Sequence, residues 1–181
     1  MDTFGKNKIK LRATPRSGQA LVEVMVAVAI LAVGFLGVVA LLSRALALNR
    51  VVADNYVGTY LAAEGIEVTK NIIDGNILQR LTWNTGNFVS SCGHAGDIGG
   101  CQVDYADSVM NPGCSTPLSF DLQTKLYSYR SAPQPTSFRR CVFITLIGQN
   151  ELKVESQVTW VMRGGGTSEV TLEDHFYNWR Q

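Results

Sequence analysis

Residues 16–31 read RSGQALVEVMVAVAIL, an apolar run that begins just after a glycine and contains one carboxylate, Glu23. Between residues 20 and 42 this glutamate is the only polar side chain, and apolar residues continue to Leu48. An α-helix rises 1.5 Å per residue, so roughly 20 apolar residues are enough to cross a bilayer. The stretch therefore predicts a membrane-spanning helix. Its glutamate needs a partner, because an ionised carboxylate is costly in hydrocarbon.

The charges on either side of this run differ in sign. Residues 1–18 contain five Lys or Arg and one Asp, a net charge of +4. The rest of the chain holds 11 basic and 14 acidic side chains, a net charge of −3. Because basic flanks stay in the cytoplasm, we expect a single-pass protein of the cytoplasmic membrane with its amino terminus inside and its carboxy-terminal domain outside. A mildly acidic body lacks the basic patch of nucleic-acid-binding proteins, so no nucleic-acid partner is expected.

The small residues Ser17 and Gly18 precede the apolar run, whereas a secretory signal peptide carries its small-residue cleavage site after it. SG followed by QALVEVMVAVAILAVGFLGVVAL, residues 17–41, resembles the class III signal of type IV pilins and pseudopilins. The resemblance implies that prepilin peptidase cuts between Gly18 and Gln19 and methylates the new amino terminus at Gln19. Glu23 is the fifth residue after that cut, where the family has a glutamate. The resemblance implies that Glu23 pairs with the amino group of a neighbouring subunit during assembly.

Two features depart from the family pattern. Gln19 stands where the family usually has Phe, at a position that tolerates change. Many pilins carry a proline in this helix, but no proline occurs between Pro15 and Pro112. Gly34 and Gly37 are the weakest helix formers in the segment. They are candidates for a soft point or for close helix packing, beside the simpler explanation that membrane helices tolerate glycine.

The sequence after the apolar run predicts an α+β, pilin-like fold. Apolar residues recur at helical spacing as far as Asp74, and Gly75 is a stop signal, so one long helix is expected over about 19–74. The predicted apolar stripe of its outer half consists of Val52, Tyr56, Leu61, Ala63, Ile66 and Ile73. Alternation of period two within 138–177 predicts a three-stranded antiparallel meander. One apolar sheet face and one apolar helix stripe are expected to pack together.

These patterns divide the chain into five predicted segments. They are a cleaved basic leader (1–18), a membrane or filament-core half of the helix (19–48), an amphipathic half (49–74), a connecting region rich in Gly, Ser and Pro that contains cysteines (75–137), and the β-meander (138–181).

The four cysteines all follow the predicted membrane segment. An even count in an oxidising compartment predicts two disulfides, with three possible pairings. Short loops favour Cys92–Cys101 and Cys114–Cys141. The cysteines and histidines do not form the close pairs of a zinc site. The spacing of Asp97, Asp104 and Asp107 does not match an EF-hand loop, so neither a metal nor a cofactor is expected.

The sequence contains few groups that could carry catalysis. His94 lies in a Gly-rich loop and His175 on a predicted strand, and both are expected to be surface residues. Arg139 and Arg140 should face opposite sides of a strand, and we interpret the pair as a solvated edge. There is no phosphate-binding loop and no dinucleotide fingerprint, so the sequence does not indicate an enzyme.

The sequence therefore predicts a structural subunit, a minor pilin of a type IV pilus or related filament. The implied partners are prepilin peptidase, other pilin subunits, the inner-membrane assembly platform and, before assembly, membrane lipid. A pseudopilin of type II secretion or of competence is the close alternative. An adhesin whose 84–137 loop binds a surface or a partner is a further possibility, and this role is compatible with a minor pilin. The alternative from another class is a binding or enzymatic domain held by an uncut signal anchor.

Overall fold

The computed structural model describes residues 17–84, 88–93, 99–130 and 134–178. The chain divides into two compact units, Met1–Leu48 and Asn49–Gln181. Helix α1, Ser17–Leu78, contributes residues to both units. The remaining elements are the short helix α2 (Phe88–Ser91) and the strands β1 (Cys101–Gln102), β2 (Asn111–Pro112), β3 (Ser119–Phe120), β4 (Tyr127–Ser128), β5 (Gln134–Pro135), β6 (Arg139–Ile147), β7 (Glu151–Val161) and β8 (Thr167–Tyr177).

The first unit is described from residue 17 onward and is entirely helical there. All of its residues from 18 to 48 are exposed, including the large apolar ones. By length and composition, α1 is able to cross a membrane, within Gly18–Leu78. The second unit contains the rest of α1 and all of the strands.

The predicted α+β architecture is confirmed, but α1 ends later than expected. Gly75 does not stop the helix, which continues to Leu78. Its end is closed by two backbone hydrogen bonds, from Arg80 N to Ile77 O (3.1 Å) and from Leu81 N to Asn76 O (2.9 Å). This is a Schellman motif, and Arg80 occupies its left-handed position with φ of 59°. Because glycine usually takes that position, the arginine gave no stop signal in the sequence.

The three long strands confirm the predicted antiparallel meander, with β7 between β6 and β8. The sheet is larger than predicted, because β1 and β2 from the connecting region extend it to five strands in the order β2-β1-β6-β7-β8. A second sheet has the order β4-β3-β5. The added strands have two residues each, too few to show an alternating pattern.

The outer half of α1 packs on the five-stranded sheet, and the predicted stripe is right in part, since Leu61 and Ile73 are buried and Ile66 packs against the core. Val52, Tyr56 and Ala63 are exposed, which corrects the prediction. The buried positions follow helical spacing and include two glycines: Gly58, Leu61, Ala62, Gly65, Val68, Thr69, Ile72 and Ile73. The prediction missed Gly58 and Gly65, because a glycine has no side chain to mark it as part of a core.

Two groups of buried residues form the core of the second unit. One joins Ile72, Ile73 and Trp83 to Val142 and Leu152, and the other joins Leu61 and Ala62 to Phe138, Val158 and Trp160. Disulfides link Cys92 to Cys101 and Cys114 to Cys141, the two pairs that short loops favoured. The first disulfide lies within the first core group, since both of its cysteines are buried there.

Candidate assembly site in the amino-terminal helix

The bond between Gly18 and Gln19 lies in the first turn of α1, which begins at Ser17. Both residues are exposed, and a Cβ atom added at Gly18 would have no neighbour within 4 Å. Among the described residues, therefore, nothing covers the bond that the sequence predicts to be cut. The leader residues ahead of Ser17 lie outside the described part of the chain.

Glu23 follows Gln19 by four residues, so the two lie one helical turn apart on the same face of α1. Glu23 is exposed, and the large apolar side chains from Leu21 to Leu48 are between 43% and 72% exposed. Between residues 20 and 42 a single carboxylate thus interrupts an otherwise apolar helical surface. Soluble proteins rarely expose continuous apolar surface on this scale, so the helix requires lipid or other helices around it.

Gly34 and Gly37 lie in the same exposed surface. A Cβ atom at either position would meet no other atom within 4 Å. No contact within the described residues requires glycine there, so their role as a soft point stays a prediction.

The structure corrects the interpretation of Arg140. The two arginines do face opposite sides of β6, but Arg140 is wholly buried while Arg139 is exposed. Arg140 Nη1 donates a hydrogen bond to Leu61 O at 3.0 Å, and Nη2 donates one to Val103 O. The sequence contained no signal for this, because both acceptors are backbone carbonyls of other elements.

His175 is half-buried on β8 and lies between two carboxylates. Its Nδ1 contacts Glu151 Oε1, and its Nε2 lies 3.0 Å from Glu173 Oε1. Hydrogen bonds to Glu173, and then to Glu151, raise the pKa of His175 above its ordinary value. His94 and Asp97, which the sequence analysis also considered, lie outside the described residues.

The described residues contain no group of three His, Cys, Asp or Glu side chains placed to hold a metal ion. Asp104 and Asp107, considered in the sequence as calcium ligands, have other partners. Asp104 Oδ2 accepts hydrogen bonds from Ser128 Oγ and from Tyr129 N, the latter at 3.1 Å. Asp107 Oδ2 accepts one from Asp104 N at 3.1 Å. Both carboxylates therefore serve to hold the loop after β1.

The family model described as the prokaryotic N-terminal methylation motif matches residues 14–39. These residues include the Gly18–Gln19 bond, Glu23 and most of the exposed apolar surface of α1. The motif and the long helix followed by antiparallel sheets together identify the chain as a prepilin-like protein. The motif indicates a structural protein rather than an enzyme. No curated protein and no solved structure matches the chain.

Proposed function

We propose that this protein is a minor pilin, a structural subunit of a type IV pilus or a related filament. The observation that carries the proposal is the direct continuation of the methylation motif into a helix whose apolar surface is uncovered. Such a surface suits a protein that is first held in lipid and then packed against the helices of other subunits.

In this proposal, prepilin peptidase cuts between Gly18 and Gln19, removes the basic leader 1–18, and methylates Gln19. The cut creates a positive amino group at the start of α1. Glu23 then pairs with that amino group on a neighbouring subunit, which offsets the cost of a carboxylate in an apolar environment. Because buried ion pairs often add little net stability, the pair serves to set the register of neighbouring helices.

The proposal gives each predicted segment of the chain a location before and after assembly. Residues 19–48 cross the cytoplasmic membrane before assembly and form the filament core afterwards, and the cysteine-containing body lies outside the membrane. The basic leader on the cytoplasmic side supports this orientation. The assembly platform of the inner membrane and other pilin subunits are the proposed partners.

A pseudopilin of type II secretion or of competence shares the same motif and is the alternative within this class. A protein that is never cut, and uses α1 only as an anchor for a binding or enzymatic domain, is the alternative from another class. The two classes differ in what happens at Gly18.

The deciding experiment measures the intact mass and the amino-terminal residue after co-expression with a prepilin peptidase. We expect loss of residues 1–18 and one methyl group on Gln19, and we expect neither in a Gly18→Ala control. An uncut chain in the presence of active peptidase would overturn the proposal and leave the uncut-anchor alternative.

Assembly is tested separately with Glu23→Gln, which removes the charge and keeps the size of the side chain. The variant should be cut normally but should be depleted from sheared filaments of a piliated host that makes the protein. A matched variant, Gln19→Asn, should be cut and incorporated. Equal incorporation of Glu23→Gln and the parent protein would exclude the proposed role of Glu23.

A further inference from the structure

A cleft of about 380 Å³ lies at one end of the long sheet in the second unit. It is lined by Pro117, Thr136, Ser137, Arg139, Thr159, Trp160, Val161 and Thr167. This volume is near the lower end of the range of small-molecule pockets, roughly 300–1,000 Å³. The cleft is therefore large enough for a ligand the size of a monosaccharide.

Strand geometry explains how these side chains come together. Arg139 on β6 is the register partner of Thr159 on β7, and Val161 on β7 is the partner of Thr167 on β8. Side chains alternate between the two faces of a strand, and Arg140 and Val158 fill the face that packs on α1. Arg139, Thr159 and Val161 therefore lie on the opposite face of the sheet.

The cation in the cleft is Arg139. Within the described residues Arg139 makes no ion pair or hydrogen bond through its side chain, and no acidic residue lines the cleft. Glu169 lies opposite Thr159 on β8, but its Oε2 accepts a hydrogen bond from Gln157 Nε2 at 3.2 Å. An arginine fork matches a carboxylate and can bind it with two parallel hydrogen bonds.

The hydroxyl groups around Arg139 differ in how they are used. Thr136 Oγ1 donates to Leu118 O at 2.6 Å and accepts from Phe138 N at 3.2 Å, so it is occupied. The hydroxyls of Ser137, Thr159 and Thr167 make no hydrogen bond within the described part of the chain and can serve a ligand. Pro117 and Val161 supply the apolar part of the wall.

We propose that this cleft binds an acidic monosaccharide of the uronate type. Its carboxylate is held by Arg139, its hydroxyls by Ser137, Thr159 and Thr167, and its C–H face by the apolar wall. The proposal concerns only the second unit and does not depend on cleavage at Gly18.

The test is an NMR titration of the full chain in micelles of a detergent that has no sugar headgroup. The probes are galacturonate and galactose, which differ at one carbon where a carboxylate replaces a hydroxymethyl group. We expect saturable shifts for galacturonate at the amides of Thr159 and Thr167, with binding of galactose weaker by about tenfold or more, because the charge-assisted hydrogen bonds are lost.

Arg139→Gln should weaken galacturonate binding by a similar factor, and Arg139→Lys should weaken it less, since it keeps the charge but loses the fork. Arg163→Gln is the matched control, because Arg163 is exposed in the turn between β7 and β8 and does not line the cleft. Unchanged spectral dispersion verifies that each variant is folded. The proposal is overturned if galacturonate causes no saturable shifts, if galactose binds equally well, or if Arg139→Gln binds like the parent protein.

Discussion

Arg140 connects several elements of the second unit. Its guanidinium contacts α1 through Leu61 O and the segment after β1 through Val103 O, and Nη1 lies 3.4 Å from Glu64 Oε1. The hydroxyl of Tyr129 donates a hydrogen bond to the Arg140 carbonyl at 2.9 Å. A buried arginine is tolerated only when it is paired in this way.

Removing this guanidinium should destabilise the second unit. We expect Arg140→Met to lower the free energy of unfolding by about 2–4 kcal/mol, because the buried carbonyl of Val103 loses its charged donor and Glu64 loses its partner. The measurement is denaturant unfolding followed by near-UV circular dichroism. Arg139→Met, one residue away on the exposed face, should change stability by less than about 0.5 kcal/mol. Equal effects of the two substitutions would contradict the role given to Arg140.

His175 is a residue whose charge depends on its neighbours. Both ring nitrogens face carboxylate oxygens, and a neutral imidazole has only one N–H, so only the imidazolium form donates a hydrogen bond to both carboxylates. The Tyr177 hydroxyl donates to the same Glu151 oxygen at 3.2 Å, and the charge of Glu151 raises the pKa of Tyr177. Lys153 Nζ lies 3.6 Å from Glu173 Oε2 and therefore competes with His175 for the Glu173 carboxylate.

This arrangement predicts the sign of a pH effect. The pKa of His175 is raised in the folded protein, whereas in the unfolded chain it is about 6.5. The stabilisation is therefore fully present below about pH 6.5 and is lost as the pH rises through the folded-state pKa. Unfolding free energies measured from pH 5 to 9 should fall over that interval in the parent protein and fall less in His175→Gln. Parallel pH profiles for the two proteins would contradict the prediction.

At the scale of elements, α1 approaches the sheet closely because of two glycines. A Cβ atom at Gly58 would lie 2.7 Å from a ring carbon of Trp160. A Cβ atom at Gly65 would collide with Ser156 Oγ and lie 3.0 Å from Arg140 Cδ. Glycine thus lets a bulky tryptophan and an arginine side chain pass directly over the helix backbone.

Replacing Gly65 and replacing Gly75 with alanine should change the stability of the protein in opposite directions. Gly65→Ala should lower stability by about 1–3 kcal/mol, since the added methyl group overpacks the contact with β6 and β7. Gly75→Ala should raise it by about 0.5–1 kcal/mol, because a Cβ atom there meets nothing within 4 Å and alanine is the better helix former. Thermal unfolding of both variants measures the difference. A stabilising Gly65→Ala would show that α1 does not approach the sheet as closely as described.

The end of α1 provides a second test at this scale. Arg80→Gly should raise stability by about 0.5–1 kcal/mol. The left-handed conformation costs a residue with a Cβ atom about 1–2 kcal/mol, and glycine removes this cost. Part of the gain is lost because glycine has more conformational freedom in the unfolded chain. Gln79→Gly, one residue earlier, should lower stability. The φ angle of Gln79 is not positive, so glycine relieves no strain there and only adds freedom to the unfolded chain. Denaturant midpoints measured side by side give the comparison. A destabilising Arg80→Gly would mean that the Schellman motif does not close the helix.

At the scale of the whole molecule, the two units differ in whether their described residues form a buried core. Every buried residue of the described chain lies in the second unit, and so do both disulfides. The described residues of the first unit present an apolar helix with no core of their own. Folding of the second unit should therefore not need the first.

We expect residues 49–181, produced in an oxidising compartment, to remain folded in buffer without detergent. The full chain should aggregate under the same conditions, because its exposed apolar helix requires lipid or partners. Size-exclusion chromatography, cooperative thermal unfolding and peptide mapping of Cys92–Cys101 and Cys114–Cys141 are the measurements. Aggregation or non-cooperative unfolding of the shorter chain would show that the second unit needs residues 1–48.

The sequence by itself determined those features whose pattern lies within a short stretch of the chain. The methylation motif needs only a glycine, a glutamate at the right spacing and an apolar run. The meander was found because side chains alternate along each strand, so a half-buried strand shows its period in about ten residues. The short loops between cysteines favoured the same two pairs that the structure joins.

The tertiary structure alone decided three features that depend on contacts between distant residues. Arg140 can be buried because the carbonyls of Leu61 and Val103, which are 79 and 37 residues away in the chain, accept hydrogen bonds from its guanidinium. The buried stripe of α1 passes through Gly58 and Gly65 because side chains from β6 and β7 occupy the space above them. Arg139, Thr159 and Thr167 line one cleft because strand register brings the ends of β6, β7 and β8 together. In each case the deciding contact is made by another element, so the local sequence contains no record of it.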